Sequence, residues 1–204
     1  MYSQSSDPIE ALAKEFSKIP GVGIKSALRM AYFYISNKSN IPQLIKSLKD
    51  LNDNVENCVI CNFITDVNNN PCKYCINGDR DKKLICILES SSDVEYIENS
   101  KSFNGVYHIL GALISPINNI NPNDIKLEKL KERLNKTDKY EILIATNFTT
   151  EGDATAIFIK NYLKEFPNIS FSRLARGLPM GSNLEYIDSY TIGKAIEKRL
   201  SYDN

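Results

Sequence analysis

The sequence CVICNFITDVNNNPCKYC, residues 58–75, contains two Cys-x-x-Cys pairs separated by ten residues. The connecting segment includes Asp66, Asn68, Asn69, Asn70 and Pro71, and such turn-forming residues predict a short hairpin that brings the second pair back to the first. Each pair can offer two thiolates to one ion, and two pairs complete a tetrahedral four-sulfur site. The ligands of the predicted zinc site, with one ion per chain, are Cys58, Cys61, Cys72 and Cys75.

Two other interpretations of these cysteines stay open from the sequence, a disulfide-bonded pair or an unrelated set of buried thiols. The linker is slightly shorter than the usual zinc-ribbon spacing. With four protein ligands the predicted site is closed, so the zinc would be structural and would contribute to the folding free energy of its module. The fifth cysteine, Cys86, lies in an apolar run and is expected to be a core thiol.

Composition sets the class of protein but not its partners. The chain has 204 residues, 25 of them basic and 25 acidic, and 42% are hydrophobic, as in ordinary globular proteins. The first residues lack the basic and apolar regions of a signal peptide, and no apolar run approaches the ~18 residues of a membrane span. Cysteines used as metal ligands suit a reducing compartment, so we expect a cytoplasmic protein that does not span a membrane.

Three helices are predicted before the cysteines, over residues 9–19, 24–35 and 41–54, because apolar residues recur there at helical spacing. Between the first two, the sequence IPGVGIKSA, residues 19–27, places two glycines in a tight turn. Such a turn lets the backbone lie close to another molecule, with the amides at the start of the next helix free to meet an anion.

The same turn carries positive charge. Lys25 and Arg29 are four residues apart on one helix face, and residues 22–49 contain five basic residues and no acidic one. This combination suits a phosphate backbone rather than bases, so binding should be independent of sequence and sensitive to salt. A plain helix turn with glycine at the break is the alternative. The predicted DNA-binding residues are Gly21, Gly23, Lys25 and Arg29.

Beyond a charged hinge at residues 78–81, strands and helices alternate. Buried strands are predicted at residues 84–88, 106–110, 140–145 and 169–174, and helices at 93–100, 124–135 and 152–165. This alternation indicates a mainly parallel α/β sheet. The tail, residues 184–200, is predicted to end in a helix.

The order of the glycine hairpin and the four-cysteine module resembles the RecR family of bacterial recombination mediators. Two further segments support the match, ATNFTTEGDAT at residues 145–155 and RLARGLPMGSNLE at residues 173–185. The resemblance implies an α+β, multi-module fold with a helix-hairpin-helix DNA-binding module, a small zinc ribbon-like module, an α/β Toprim domain and a C-terminal helical tail. The implied boundaries are 1–55, 56–78, 79–176 and 177–204, the last with a Walker B-like segment.

The resemblance also implies a function. The chain would be a non-enzymatic DNA-binding protein of recombination and repair that, with RecO and RecF, promotes loading of RecA on single-stranded DNA. It would act as a ring or clamp, either a homo-tetramer or a dimer, and a ring multiplies the few phosphate contacts that one hairpin supplies. A protein-binding zinc adaptor is a second alternative, which the acid-free stretch argues against.

Toprim enzymes hold magnesium with a glutamate after the first strand and an Asp-x-Asp pair after a later one. Glu89 matches the glutamate, but the later position reads Asn147-Phe148-Thr149 and carries no charge. Glu151 and Asp153 lie nearby, where acidic residues also complement a helix N-terminus. Glu89, Glu151 and Asp153 are therefore predicted to dock a partner or hold one weak magnesium ion, and the rival function is an active Toprim nuclease or primase-like enzyme that uses them.

The chain departs from the family pattern in four places. Ile24 stands where proline often follows the hairpin glycine, and the loop SPINNINP, residues 115–122, has asparagines in place of glycines. One glycine is lost within residues 178–182, and residues 200–204 do not resemble the family. The single histidine, His108, lies within a predicted strand and is expected to be structural, and no P-loop sequence occurs.

Overall fold

The computed structural model describes residues 7–175 and 177–199, and the chain divides into two compact units, residues 1–55 and 56–204. The predicted α+β fold is confirmed, with a helical N-terminal unit, a four-cysteine cluster, a parallel sheet and a C-terminal helix. The finer division into modules remains a prediction. No helix among the described residues is both long enough and apolar enough to cross a membrane.

From residue 7 onward the N-terminal unit contains three α-helices, α1 (Pro8–Phe16), α2 (Ile24–Ser36) and α3 (Ile41–Asn54). Asp7 caps α1 through a 2.9 Å hydrogen bond from the amide of Ile9. The first helix is shorter than predicted because residues 17–19 form tighter three-residue turns before Pro20, with Ile19 N donating to Phe16 O at 3.1 Å. Helix packing rests on small residues, since the fully buried residues described here are Ala13, Ala27 and Ala31.

The cysteine segment opens the second unit. Strands β1 (Val55–Asn57) and β2 (Ile64–Asp66) form a two-stranded sheet, and a single helical turn, α4 (Lys73–Ile76), carries the last cysteine. The residues between the cysteine pairs thus fold back as the sequence predicts. Asp66 assists by accepting a 2.7 Å hydrogen bond from the amide of Asn68.

A four-stranded parallel sheet forms the body of this unit, in the order β4-β3-β5-β6. The registers pair Ile85 with both Val106 and Ile142, and Ile142 with Phe171. Strands with bounds close to those predicted are β3 (Asp81–Leu88), β4 (Gly105–Ile109), β5 (Tyr140–Ile144) and β6 (Ile169–Arg173). The helices are α5 (Asp93–Asn99), α6 (Glu128–Glu132), α7 (Thr150–Tyr162) and α8 (Ser189–Glu197).

Helix α6 is much shorter than the prediction of residues 124–135. Asp124 instead accepts a 2.7 Å hydrogen bond from the amide of Asn121, which closes a local turn before the helix can begin. Ile125 and Leu127 are fully buried without being helical. The apolar spacing predicted burial correctly, but burial did not require a helix.

The central strand β3 separates two cores, because successive side chains of a strand point to opposite faces. Ile85 and Ile87 enter a large core with α7 and the segment around α6. Cys86 and Leu88 point to the other face, into a second core that contains three of the clustered cysteines and Tyr107. The cysteine module therefore covers one face of the sheet.

His108 on β4 is fully buried, as expected of a structural residue. Its Nε2 donates a 2.6 Å hydrogen bond to the carbonyl of Lys126, which fixes the neutral tautomer. Nδ1 has no hydrogen-bond partner among the described residues. Burial, with repulsion from Arg133 and Lys129, lowers the pKa of His108 to about 3.

This arrangement predicts acid sensitivity. A histidine with a pKa of about 3 when folded and about 6.5 when unfolded binds its proton in the unfolded state first. Stability is therefore full above pH 6.5 and falls by about 1.4 kcal/mol for each pH unit below it. Urea unfolding at pH 7.0 and 5.5 should show this loss in the wild type. His108→Gln should lose about 1 kcal/mol less over that interval, and equal losses in both proteins would contradict the assignment.

Candidate functional site

The four predicted ligand cysteines come together in one cluster, and all four sulfurs lie within 4.8 Å of one another. Cys58 Sγ is 3.9 Å from Cys75 Sγ, and Cys61 Sγ is 3.5 Å from Cys72 Sγ. These separations are too long for disulfides, whose sulfurs are about 2.05 Å apart. They are close to the spacing of about 3.8 Å that 2.3 Å bonds from a tetrahedral metal would give. The cluster thus fits a metal ion.

Local backbone turns aim the sulfurs inward. In the first pair, the amide of Asn62 donates to the Cys58 carbonyl at 3.1 Å, with Asn62 in the left-handed region at φ 61°. In the second pair, the amide of Cys75 donates to the Cys72 carbonyl at 2.9 Å. The amide of Cys72 also lies 3.3 Å from Cys58 Sγ, as suits a thiolate acceptor.

Asn62 attaches the cluster to the parallel sheet. Its side-chain amide lies 3.3 Å from the Ile109 carbonyl at the end of β4 and 3.4 Å from the Lys126 carbonyl. In return, the Ile109 amide donates to the Cys61 carbonyl at 2.8 Å. This role of Asn62 was not predicted from the sequence. The available signal was its residue type, since asparagine tolerates the left-handed conformation that the turn after Cys61 requires.

The thiols influence one another when no ion is bound. The contact between Cys61 and Cys72 raises the pKa of Cys61 and lowers the pKa of Cys72, because one sulfur holds the proton that the other accepts. Burial further raises the pKa of Cys61. Metal binding has to displace such protons, since thiolates are the ligands.

The glycine hairpin has the geometry of an anion-binding turn. Gly21 has φ 81°, a conformation that favours glycine, and Gly23 precedes α2 without any side-chain cap. Lys25 and Arg29 are exposed, and the first turn of α2 contains no acidic residue. Their role as DNA contacts remains a prediction at this point.

Glu89 lies at the carboxyl end of the sheet, directly after β3. It lines a cavity of about 460 Å³ together with Gly111, Asn147 and Glu151, which follow β4 and β5 or begin α7. The Asn147 side-chain amide donates to Glu89 at 3.3 Å. Burial, followed by the charge of Asp93, raises the pKa of Glu89.

Asp153 does not join Glu89 and Glu151 as a ligand. Its carboxylate forms an ion pair with Arg173 at the end of β6, and it lines a different cavity. Among the described residues, the four cysteines are the one group of three or more potential metal ligands that come together. Asp153 is thus paired with Arg173 rather than brought together with Glu89 and Glu151, and the docking or magnesium role of the three carboxylates remains a prediction. The contact between Arg173 and Asp153 was not predicted from the sequence, because it depends on the position of β6 in the sheet.

The expected helix-end role of the two acidic residues is consistent with the structure. Thr149 caps α7 by accepting a 3.1 Å hydrogen bond from the amide of Gly152. Glu151 and Asp153 both lie in the first turn of that helix.

Family models match most of the chain in the order of its elements. A model described as RecR, helix-hairpin-helix, matches residues 9–51. A model of the Toprim domain matches residues 83–175, and one described as RecR, C-terminal, matches residues 177–199. The divergent residues 200–204 lie outside the described part of the chain.

Curated relatives align over nearly their full length. A protein of Geobacter sp. (strain M21) is 41% identical over 194 residues, which cover 95% of this chain and 96% of the relative. A protein of Chloroherpeton thalassium is 37% identical over 200 residues, covering 96% and 97%. One of Rhodococcus jostii is 37% identical over 197 residues, covering 94% and 96%. All three are named "Recombination protein RecR".

The cluster predicts metal binding that depends on both cysteine pairs. Purified wild-type protein should contain about one equivalent of metal per chain by atomic emission. The double variant Cys58→Ser, Cys72→Ser should lose it and unfold at lower urea concentration, because two of the four ligands are gone. Cys86→Ala is the control, since this buried thiol lies outside the cluster and its loss should leave the metal in place. Full metal content in the double variant would overturn the assignment.

Proposed function

The chain belongs to the RecR family of recombination proteins, and from that membership we propose that it is a DNA-binding mediator of recombination and repair. The observation that carries the proposal is the exposed glycine hairpin with Lys25 and Arg29. An uncapped helix start offers free amides to a phosphate, and two cations four residues apart add charge on the same side. None of these groups reads a base, so the interaction would tolerate any sequence.

We propose zinc as the ion of the four-cysteine centre. Tetrahedral sets of four thiolates select zinc or iron–sulfur chemistry, and the separations between the sulfurs fit a single ion. Four protein ligands leave no position for water, so the zinc would hold structure rather than activate a reaction. All five cysteines are free thiols, which supports action in the reducing cytoplasm.

A ring or clamp of two or four chains is part of the proposal. The N-terminal unit buries few large side chains and exposes many, which is unusual for a unit that functions alone. Those on α2 and α3 with more than a third of their surface exposed are Ile24, Met30, Tyr32, Phe33, Ile35, Ile45, Leu48 and Leu51. Contacts between copies would cover this surface and repeat the hairpin around DNA.

The partners proposed for the chain are RecO and RecF, with loading of RecA on single-stranded DNA as the outcome. Glu89 and Glu151 support a docking role, because both lie at one cavity at the carboxyl end of the sheet. An acidic recognition surface suits a basic partner. Catalysis is not proposed, since Asn147 and Thr149 stand at the Asp-x-Asp position and Asp153 is held by Arg173.

The hairpin is tested by removing its two cations. Lys25→Ala with Arg29→Ala should weaken binding to all DNA sequences alike and lower the slope of log K against log salt by about two. The fold should persist, because both side chains are exposed. Fluorescence anisotropy over a range of salt concentrations measures both quantities.

The matched control removes the same charge from the same unit. The double variant Lys46→Ala, Lys49→Ala changes α3 rather than the hairpin or α2, and should change the salt slope much less. Equal effects of the two double variants would mean that general charge rather than the hairpin binds DNA.

The proposed docking role of Glu89 and Glu151 is tested by the double variant Glu89→Gln, Glu151→Gln. Binding to RecO, measured by surface plasmon resonance, should weaken about tenfold, because two charges of the cavity are lost. Glu132→Gln removes an exposed charge that does not line the cavity and should have no effect. Magnesium-dependent DNA cleavage by the wild type that disappears in the double variant would favour the rival enzyme function.

A further inference from the structure

We propose that Lys82 and Lys129 are the charge-compensating residues of the four-cysteine metal centre. The inference depends on the zinc of the proposed function. A divalent ion bound by four thiolates has a net charge of −2, and a buried charge of that size needs compensation close by. Three of the four sulfurs belong to fully buried residues, so water supplies little of it.

Lys82 is held at the last metal ligand. Its Nζ donates to the carbonyls of Cys75 at 2.9 Å and Tyr74 at 3.4 Å, and also to that of Asn77. An ammonium group has three donors, and these three carbonyls use all of them. The charge of Lys82 is therefore fixed beside α4, the helical turn that presents Cys75.

Lys129 takes the equivalent position at the first ligand. Its Nζ lies 3.4 Å from the Cys58 carbonyl, although Lys129 lies on α6, 71 residues later in the chain. Arg133, one helical turn later, donates to the Tyr107 carbonyl at 2.8 Å. None of these three cations forms an ion pair with a carboxylate within residues 7–175 and 177–199.

The neighbouring cations are different because their charges are already balanced. Arg80 forms a 2.6 Å ion pair with Glu98, and Lys83 forms a 3.1 Å ion pair with Asp138. Lys82 and Lys129 instead donate to main-chain carbonyls of the ligand residues themselves, so their positive charge remains available to the centre.

The exposed edge of the centre is where compensation matters most. Cys75, the least buried of the four ligands, lines a cavity of about 220 Å³ together with Lys82, Lys83 and Arg133. Fixed positive charge there attracts the negatively charged centre of one zinc ion and four thiolates, and so helps to hold the metal.

The experiment measures zinc affinity by equilibrium competition with a chromophoric chelator. Lys82→Gln keeps hydrogen-bond donors for the carbonyls but removes the charge, and Lys129→Gln does the same at Cys58. Each should weaken zinc binding about tenfold, in the range found for residues outside the ligand set of a zinc site. Lys82→Arg should bind like the wild type, and the loss in both Gln variants should shrink in 1 M salt because screening weakens charge effects.

Lys83→Gln is the matched control, since it removes one positive charge from the same cavity, but from a side chain that contacts Asp138 and not the carbonyl of a ligand. Zinc affinity equal to the wild type in both Lys82→Gln and Lys129→Gln would overturn the inference while leaving the zinc assignment in place. Equal weakening in Lys83→Gln, or failure of Lys82→Arg to restore affinity, would also overturn it. Wild-type protein that binds no zinc would refute both the inference and the proposed metal.

Discussion

Both faces of a parallel sheet have to be covered, and in this protein the cysteine module supplies part of one cover. The side chains of β3 point alternately to the two faces, so that Ile85 and Ile87 enter one core while Cys86 and Leu88 enter the other. A module this small cannot form a large hydrophobic core of its own. Four ligands on one ion would stabilise this module in place of a large core. The cover on one face of the sheet would then depend on the ion.

The N-terminal unit is also small, and its first two helices pack closely through small side chains. Ala13, Ala27 and Ala31 allow α1 and α2 to approach closely, and larger apolar side chains remain at the surface. Between these helices the turn is open, because a Cβ added to Gly21 or Gly23 would meet no heavy atom within 4 Å apart from the chain neighbours. A unit with a small core and an open turn is suited to work as part of an assembly.

The sequence predicted what depends on local pattern. The four strands, the cysteine cluster and the burial of His108 follow from apolar runs and residue spacing, and each is found. Helix α6 was overestimated because the buried Leu127, Leu130 and Leu134 recur at helical spacing, although Asp124 closes a turn before the helix and α6 ends at Glu132.

Contacts between distant segments were not predictable from pattern. The pairing of Asp153 with Arg173 depends on β6 lying beside β5, and the approach of Lys129 to Cys58 joins residues 71 positions apart. Both are set by the order of strands and by which face each element covers. Asp153 therefore lies apart from Glu89 and Glu151, whose predicted roles stay predictions, while the four cysteines, which are close in sequence, come together as expected.

The carbonyl of Lys126 accepts hydrogen bonds from two different layers, Nε2 of His108 on the sheet and the side-chain amide of Asn62 beside the cysteines. His108 is the single histidine of the chain. Its imidazole therefore gives one unambiguous set of nuclear magnetic resonance signals, and the Nε2 proton sits at the point where sheet and cysteine module share an acceptor. These signals can therefore report on the attachment of the cysteine module to the sheet without any added label.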